Sequence, residues 1–334
     1  MSEGPHHARG RGRTGAFSCL AILRQDHRPE HRHRRRLVGG VDTLVLQDSR
    51  TRIGIVPELG GGIAFIEALL PDGRTVPVLR PWTGNAVDGP FAFACNILVP
   101  FSNRISGGGF AFDGVFHEIA PNLAGETFPI HGDGFQRAWA IEAASGQTAS
   151  LVLPGGEIGP FRYEARQGFH LKDGALHVEL TVTNTAPRPL PFGAGFHPWF
   201  PRLAETTLCF QASQIWLEDA RHLPTVQVDV AARPEWDYSA VRPLPRDWIN
   251  NAFTHWPGIA TINQPELGIS IEIAASPNLD VAVVYSPGSG ADFFCFEPVS
   301  HTIDAHNQPG YPGLKILAEG QSLAVQMTLR WLPE

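Results

Sequence analysis

Cysteine is scarce in this chain, and long apolar runs are missing. The four cysteines, Cys19, Cys95, Cys209 and Cys295, are widely scattered with no C-x-x-C pair, which excludes a disulfide framework or a structural zinc site. No window approaches the roughly 18 uninterrupted apolar residues of a spanning helix. The most apolar stretch near the start, Ala16 to Leu23, is short and contains Ser18 and Cys19. Arg24, Asp26 and a basic run follow it, where a secretory signal would carry a small-residue cleavage site. A cytoplasmic protein with no membrane partner is expected. Positive charge is also short outside the first forty residues. Those hold nine Arg against three Asp or Glu, so with an overall charge of −7 the remainder carries −13. Such an acidic body argues against nucleic acid as the main partner.

Apolar residues make up 43% of the 334 and charged residues 18%, the balance of a globular protein with a sizeable core. Residues 1–38 stand apart, dominated by Gly, Arg and His, and the H-R-H-R-R-R run at 31–36 would repel itself if packed. A disordered basic tail is expected there. From Val41 the apolar pattern has period two, punctuated by Gly, Pro, Asp and Asn, as in strands joined by tight turns. Leu176, Val178, Leu180 and Val182 alternate with polar residues, and Lys172-Asp173-Gly174 separates them from a strand over 162–170. That is a hairpin. Asp113-Gly114, between Phe110 and Phe112 on one side and Val115 and His117 on the other, predicts a second. Ile269, Ile271 and Ile273 form another half-buried strand, as do alternate residues from Leu323 to Trp331. Helical stretches are hard to find. The signals run to the end without a polar linker, so one all-β domain over 39–334 is expected.

Four polar clusters bracketed by apolar residues could carry chemistry: P-F-S-N-R-I at 100–105, I-H-G-D-G-F at 130–135, G-F-H-P-W-F at 195–200 and F-C-F-E-P-V-S-H-T-I-D-A-H-N at 294–307. Glu297, between Phe296 and Pro298, carries a carboxylate into apolar surroundings, which is costly unless the charge is paired or used. A salt bridge to Arg104 would be a purely structural use. His197 precedes Pro198 and is biased toward extended backbone. Trp199, Phe200 and Phe253 are ordinary core candidates unless a ring faces a cleft. His131, His197 and Glu297 also match a two-histidine, one-carboxylate metal site of a cupin-like enzyme, although no H-x-H pair supports it.

In order and spacing the four clusters resemble the aldose 1-epimerase, or galactose mutarotase, family. Its N-R-I, H-G, H-P-Y/W-F and E-P-x-S-H-x-x-D-A-x-N segments are met by Asn103 to Ile105, His131-Gly132, His197 to Phe200 and Glu297 to Asn307, and the likeness covers about 41–334. The resemblance implies a large antiparallel β-sandwich of the galactose mutarotase-like kind and interconversion of the α and β anomers of an aldose, without cofactor or metal. It implies Glu297 as the base at the C1 hydroxyl and protonated His197 as the acid at the ring oxygen. Asn103, Arg104, His131 and Asn250 would bind the sugar, and the chain would act as a monomer or homodimer. One departure stands out: where many relatives have Asp in L-D-x-x-F, this chain has Asn250, which puts the sugar preference in doubt. A non-catalytic sugar-binding module is the other reading of the same residues.

Overall fold

The computed structural model describes residues 34–36, 41–85 and 89–334. Strand takes 52% of it and helix 6%, and the helix is confined to short 3-10 turns. The architecture is therefore all-β, as the period-two pattern predicts. Both expected hairpins form. Phe161–Lys172 pairs antiparallel with Ala175–Asn184, and Gly109–Phe112 pairs with Val115–Glu118. Each turns on an Asp-Gly pair with both residues at positive φ, 52° and 82° at Asp173-Gly174 and 50° and 73° at Asp113-Gly114. That is the backbone a two-residue hairpin with right-handed twist demands.

Two large sheets face each other. One has nine strands, with Ser322–Pro333, Ala175–Asn184 and Phe161–Lys172 near its middle. The other has twelve, and its central strands position the site: Cys95–Leu98 (β1), Gly195–Pro201 (β2), Gln214–Glu218 (β3), Ile249–Thr254 (β4), Val281–Ser286 (β5) and Phe293–Val299 (β6). They run side by side as β1-β2-β6-β5-β4-β3. Alternation decides what each face carries. Phe196, Phe200, Ile215, Ile249, Phe253, Ala282, Val284, Phe294 and Phe296 turn inward and join Leu176, Val178, Leu180, Ile271 and Val325 of the other sheet in one apolar core. The intervening residues of β2 to β6 project from the opposite face, where Ala252, Val281, Val283 and Val299 form a second, smaller apolar cluster.

Most of the basic tail expected over 1–38 lies outside the described residues. Arg34–Arg36 are an exception and pair as a strand with Asp42–Leu44. They cover the first half of the strand Asp42–Gln47, which would otherwise present unpaired edge groups there. Among the described residues no helix is long and apolar enough to cross a membrane.

Candidate active site

Pleating and register assemble the site on the outer face of the twelve-stranded sheet. Gly195 lies against Val299 and Trp199 against Cys295, which brings His197 of β2 level with Glu297 of β6. Glu297 in turn lies against Val283 of β5, and Tyr285 against Asn250 of β4. His197, Glu297, Tyr285 and Asn250 thus share one face and line one cleft of about 570 Å³. The alternate residues Phe196 and Phe296, driven into the core, force His197 and Glu297 outward. Phe253 and Phe200 are core residues with no exposed surface. Trp199 is different: its ring walls the cleft and stacks on His197 at 4.9 Å between centroids and 8° between planes.

Asn103, Arg104 and His131 reach the same cleft from loops. Two buried histidines hold the loop at 100–105 by accepting successive backbone N–H groups. His301 Nε2 accepts from Ser102 at 3.0 Å, and His131 Nδ1 accepts from Asn103 at 3.0 Å. Asn103 and His131 both adopt positive φ, 52° and 61°, a strained backbone for residues with side chains. The Asn103 side chain accepts the next N–H, that of Arg104, at 3.0 Å. After His131 the chain passes Val99 so closely that a Cβ on Gly132 would sit 1.9 Å from the Val99 carbonyl oxygen, so this step of the H-G pair requires glycine.

The rest of the last motif is largely scaffolding. Ser300 Oγ accepts from the Ala194 N–H at 3.0 Å. Asp304 accepts from the Ser106 N–H at 2.8 Å and its hydroxyl at 2.7 Å, while its own N–H donates to the Arg104 carbonyl at 3.1 Å. Asn307 donates to Asp304 at 2.9 Å and to the Gly109 carbonyl at 3.2 Å. The motif that supplies Glu297 therefore also sets the loop that supplies Arg104.

His197 Nε2 lies 3.4 Å from Glu297 Oε1, with the two residues 5% and 3% exposed. Burial pushes the Glu297 carboxyl up to about 8, against a smaller opposing pull from the Arg104 charge. Burial likewise holds the His197 imidazole down to about 3. Near neutral pH the pair therefore holds one proton. Burial keeps that proton on Glu297, whereas the sequence-based expectation began from carboxylate and imidazolium. Glu297 Oε2 and His197 Nδ1 have no hydrogen-bond partner among the described residues. A salt bridge from Glu297 to Arg104 is not formed, because the guanidinium makes three hydrogen bonds of 3.1 to 3.2 Å to Glu126. Glu126, in the loop that precedes the 130–135 cluster, could not be matched to Arg104 from sequence. Nor could Trp248, His222 and Tyr285, which also line the cleft.

His131, His197 and Glu297 offer ligand atoms within 4.8 Å of one another, so distance alone admits a metal ion. The tautomer of His131 does not. Since Nδ1 accepts the Asn103 N–H, a neutral ring carries its proton on Nε2. A metal-binding histidine has the opposite pattern, ligating with one nitrogen and donating from the other. His131 is thus built to donate a hydrogen bond into the cleft, and burial, followed by the nearby His197 and Arg104 charges, holds it neutral, well below the usual imidazole range.

A family model for aldose 1-epimerase matches residues 42–330. The Escherichia coli K12 protein YphB, itself uncharacterized, is 37% identical over 268 residues, which is 77% of this chain and 90% of YphB. A solved Escherichia coli K12 structure, provisionally assigned as an aldose 1-epimerase, has a TM-score of 0.81 at 33% identity and covers 88% of this chain and 100% of its own. A galactose mutarotase-like protein from Clostridium acetobutylicum shares the fold, with a TM-score of 0.77 at 16% identity over 88% of this chain and 96% of its own.

Proposed function

This chain belongs to the aldose 1-epimerase family, and from that premise we propose that it interconverts the α and β anomers of an aldose, with Glu297 and His197 moving the protons. The observation that carries the reading is the buried pair itself: a carboxyl and an imidazole 3.4 Å apart in the wall of a cleft, each with an atom left unpartnered. Burying ionisable groups without full pairing costs stability, and such costs are concentrated where the groups are used.

Ring opening needs one base and one acid. Glu297, as carboxylate, takes the proton of the C1 hydroxyl. The electrons of that O–H bond form the C1 carbonyl, the bond from C1 to the ring oxygen breaks, and the ring oxygen takes a proton from His197. The pair ends with the proton moved from His197 to Glu297. Rotation about C1–C2 presents the other carbonyl face, and closure returns both protons. A sugar hydroxyl donating to the free Oε2 favours the carboxylate form of Glu297, as does the Arg104 charge. Sugar binding thereby shifts the shared proton to His197 and readies the pair. His131 Nε2–H and Arg104 supply donors for sugar oxygens, Asn103 belongs to the same wall, and Asn250 bounds the far side. No step requires a metal or cofactor, and a cytoplasmic location fits this chemistry.

Polarimetry on freshly dissolved glucose, galactose, xylose and arabinose tests the proposal. Catalysed relaxation to the anomeric equilibrium, unaffected by EDTA, is expected for at least one sugar. Binding without any acceleration would mean a sugar-binding module. Loss of activity with EDTA and its recovery with one divalent ion would restore the metal reading.

A further inference from the structure

The substitution of Asn250 for the acidic residue of many relatives is answered from the neighbouring strand. Glu218, at the end of β3, accepts a hydrogen bond from Asn250 Nδ2 at 2.7 Å. It also accepts from Trp248 Nε1 at 2.6 Å and pairs with His222 Nδ1 at 3.0 Å. All three partners line the cleft, while the Glu218 side chain is only 15% exposed. His222 sits at a strained φ of 62° and stacks on Trp248 at 5.1 Å.

An ionised carboxylate can only accept, so the amide of Asn250 has one possible orientation: Nδ2 toward Glu218 and Oδ1 away from it. Oδ1 takes no hydrogen bond from the protein among the described residues. We propose that Glu218 is a positioning residue that commits Asn250 to the acceptor role and sets the Trp248–His222 wall beside it. On the mutarotase reading, on which this rests, the cleft then reads one sugar hydroxyl as a donor to Asn250 Oδ1. An amide that could flip would either accept a hydroxyl proton or donate to a hydroxyl oxygen; a clamped one discriminates. The negative charge lies one residue behind the contact, where the sugar does not touch it.

The test is a charge exchange across the 2.7 Å contact. Asn250→Asp alone sets two carboxylates at hydrogen-bond distance. KM for galactose or glucose should rise about tenfold or more, with kcat within about threefold, and KM should recover as pH falls and one proton comes to be shared. Adding Glu218→Gln restores a donor facing an acceptor, so the Asn250→Asp, Glu218→Gln double variant should return KM to within about threefold of the wild type. Glu218→Gln alone should raise KM and weaken discrimination between the two sugars. Calorimetric affinities for both sugars are measured alongside, so the clamp is tested whether or not the protein turns them over, and wild-type polarimetry reports separately on the mutarotase reading. Should Asn250→Asp fold poorly, the double and the Glu218→Gln variants still decide. An Asn250→Asp protein that binds like the wild type at every pH, losses that simply add in the double variant, or a Glu218→Gln protein with unaltered affinity and sugar ranking would overturn the proposal.

Discussion

Two buried residues share one proton, and the pH dependence of the chemistry follows from that. The pair holds a single proton from about 3, where His197 gains a second, up to about 8, where Glu297 loses the last. We expect kcat/KM to be flat from pH 5 to 7.5 and to fall about tenfold per unit above 8. A limb near the ordinary histidine or glutamate range would contradict the burial argument. Stability gives a second readout. Glu297 titrates near the ordinary 4.5 when unfolded and about 8 when folded, so its contribution is present below 4.5 and is lost as pH rises through 8. The wild type should therefore lose ground to Glu297→Gln between pH 4.5 and 8, by on the order of 5 kcal/mol. Parallel melts of the two proteins show it, and a constant gap would mean that the carboxyl is not desolvated. At this scale the sequence is a good guide where a polar residue interrupts an apolar strand, as at His197 and Glu297. It is a poor one where a side chain's role depends on a partner distant in sequence, as with Glu126 for Arg104 or Glu218 for Asn250.

Strands and their turns were legible because period-two alternation and Asp-Gly pairs are local signals. Which face of β2 and β6 meets the core came from the structure, where Phe196, Phe200, Phe294 and Phe296 are buried together. The loop at 102–109 was not legible, because it has almost no regular structure of its own. Its shape comes from side chains of 300–307 that accept its backbone N–H groups. Asp304→Ala removes three hydrogen bonds of 2.7 to 2.9 Å and a residue suited to the left-handed backbone at φ 56°. A loss of about 2 to 4 kcal/mol is expected, and with Arg104 displaced KM should rise several-fold more than kcat falls. Denaturant melts with steady-state kinetics on the same preparations check this, and an unchanged KM would detach the loop from sugar binding.

The described residues form a sandwich whose inner faces make the apolar core and whose one outer face carries the candidate site, so mutations can separate stability from activity. Charge at the mouth of the cleft is locally balanced: Arg104 pairs with Glu126 and Arg221 with Asp219. Each cation there already has a carboxylate, so a phosphorylated aldose should compete more weakly than its parent sugar. Tighter inhibition by a hexose phosphate than by the hexose would reveal a free anion site. The measurement that bears most directly on the acid/base pair is polarimetric kcat for Glu297→Gln, His197→Asn and the double variant, with thermal melts on the same samples. Each single variant should stay folded and lose about a hundredfold or more, from the 10² to 10⁴ that a positioned acid or base contributes. The double variant should lose far less than the product of the two. A well-folded Glu297→Gln protein with near-normal turnover would contradict the assignment of the pair.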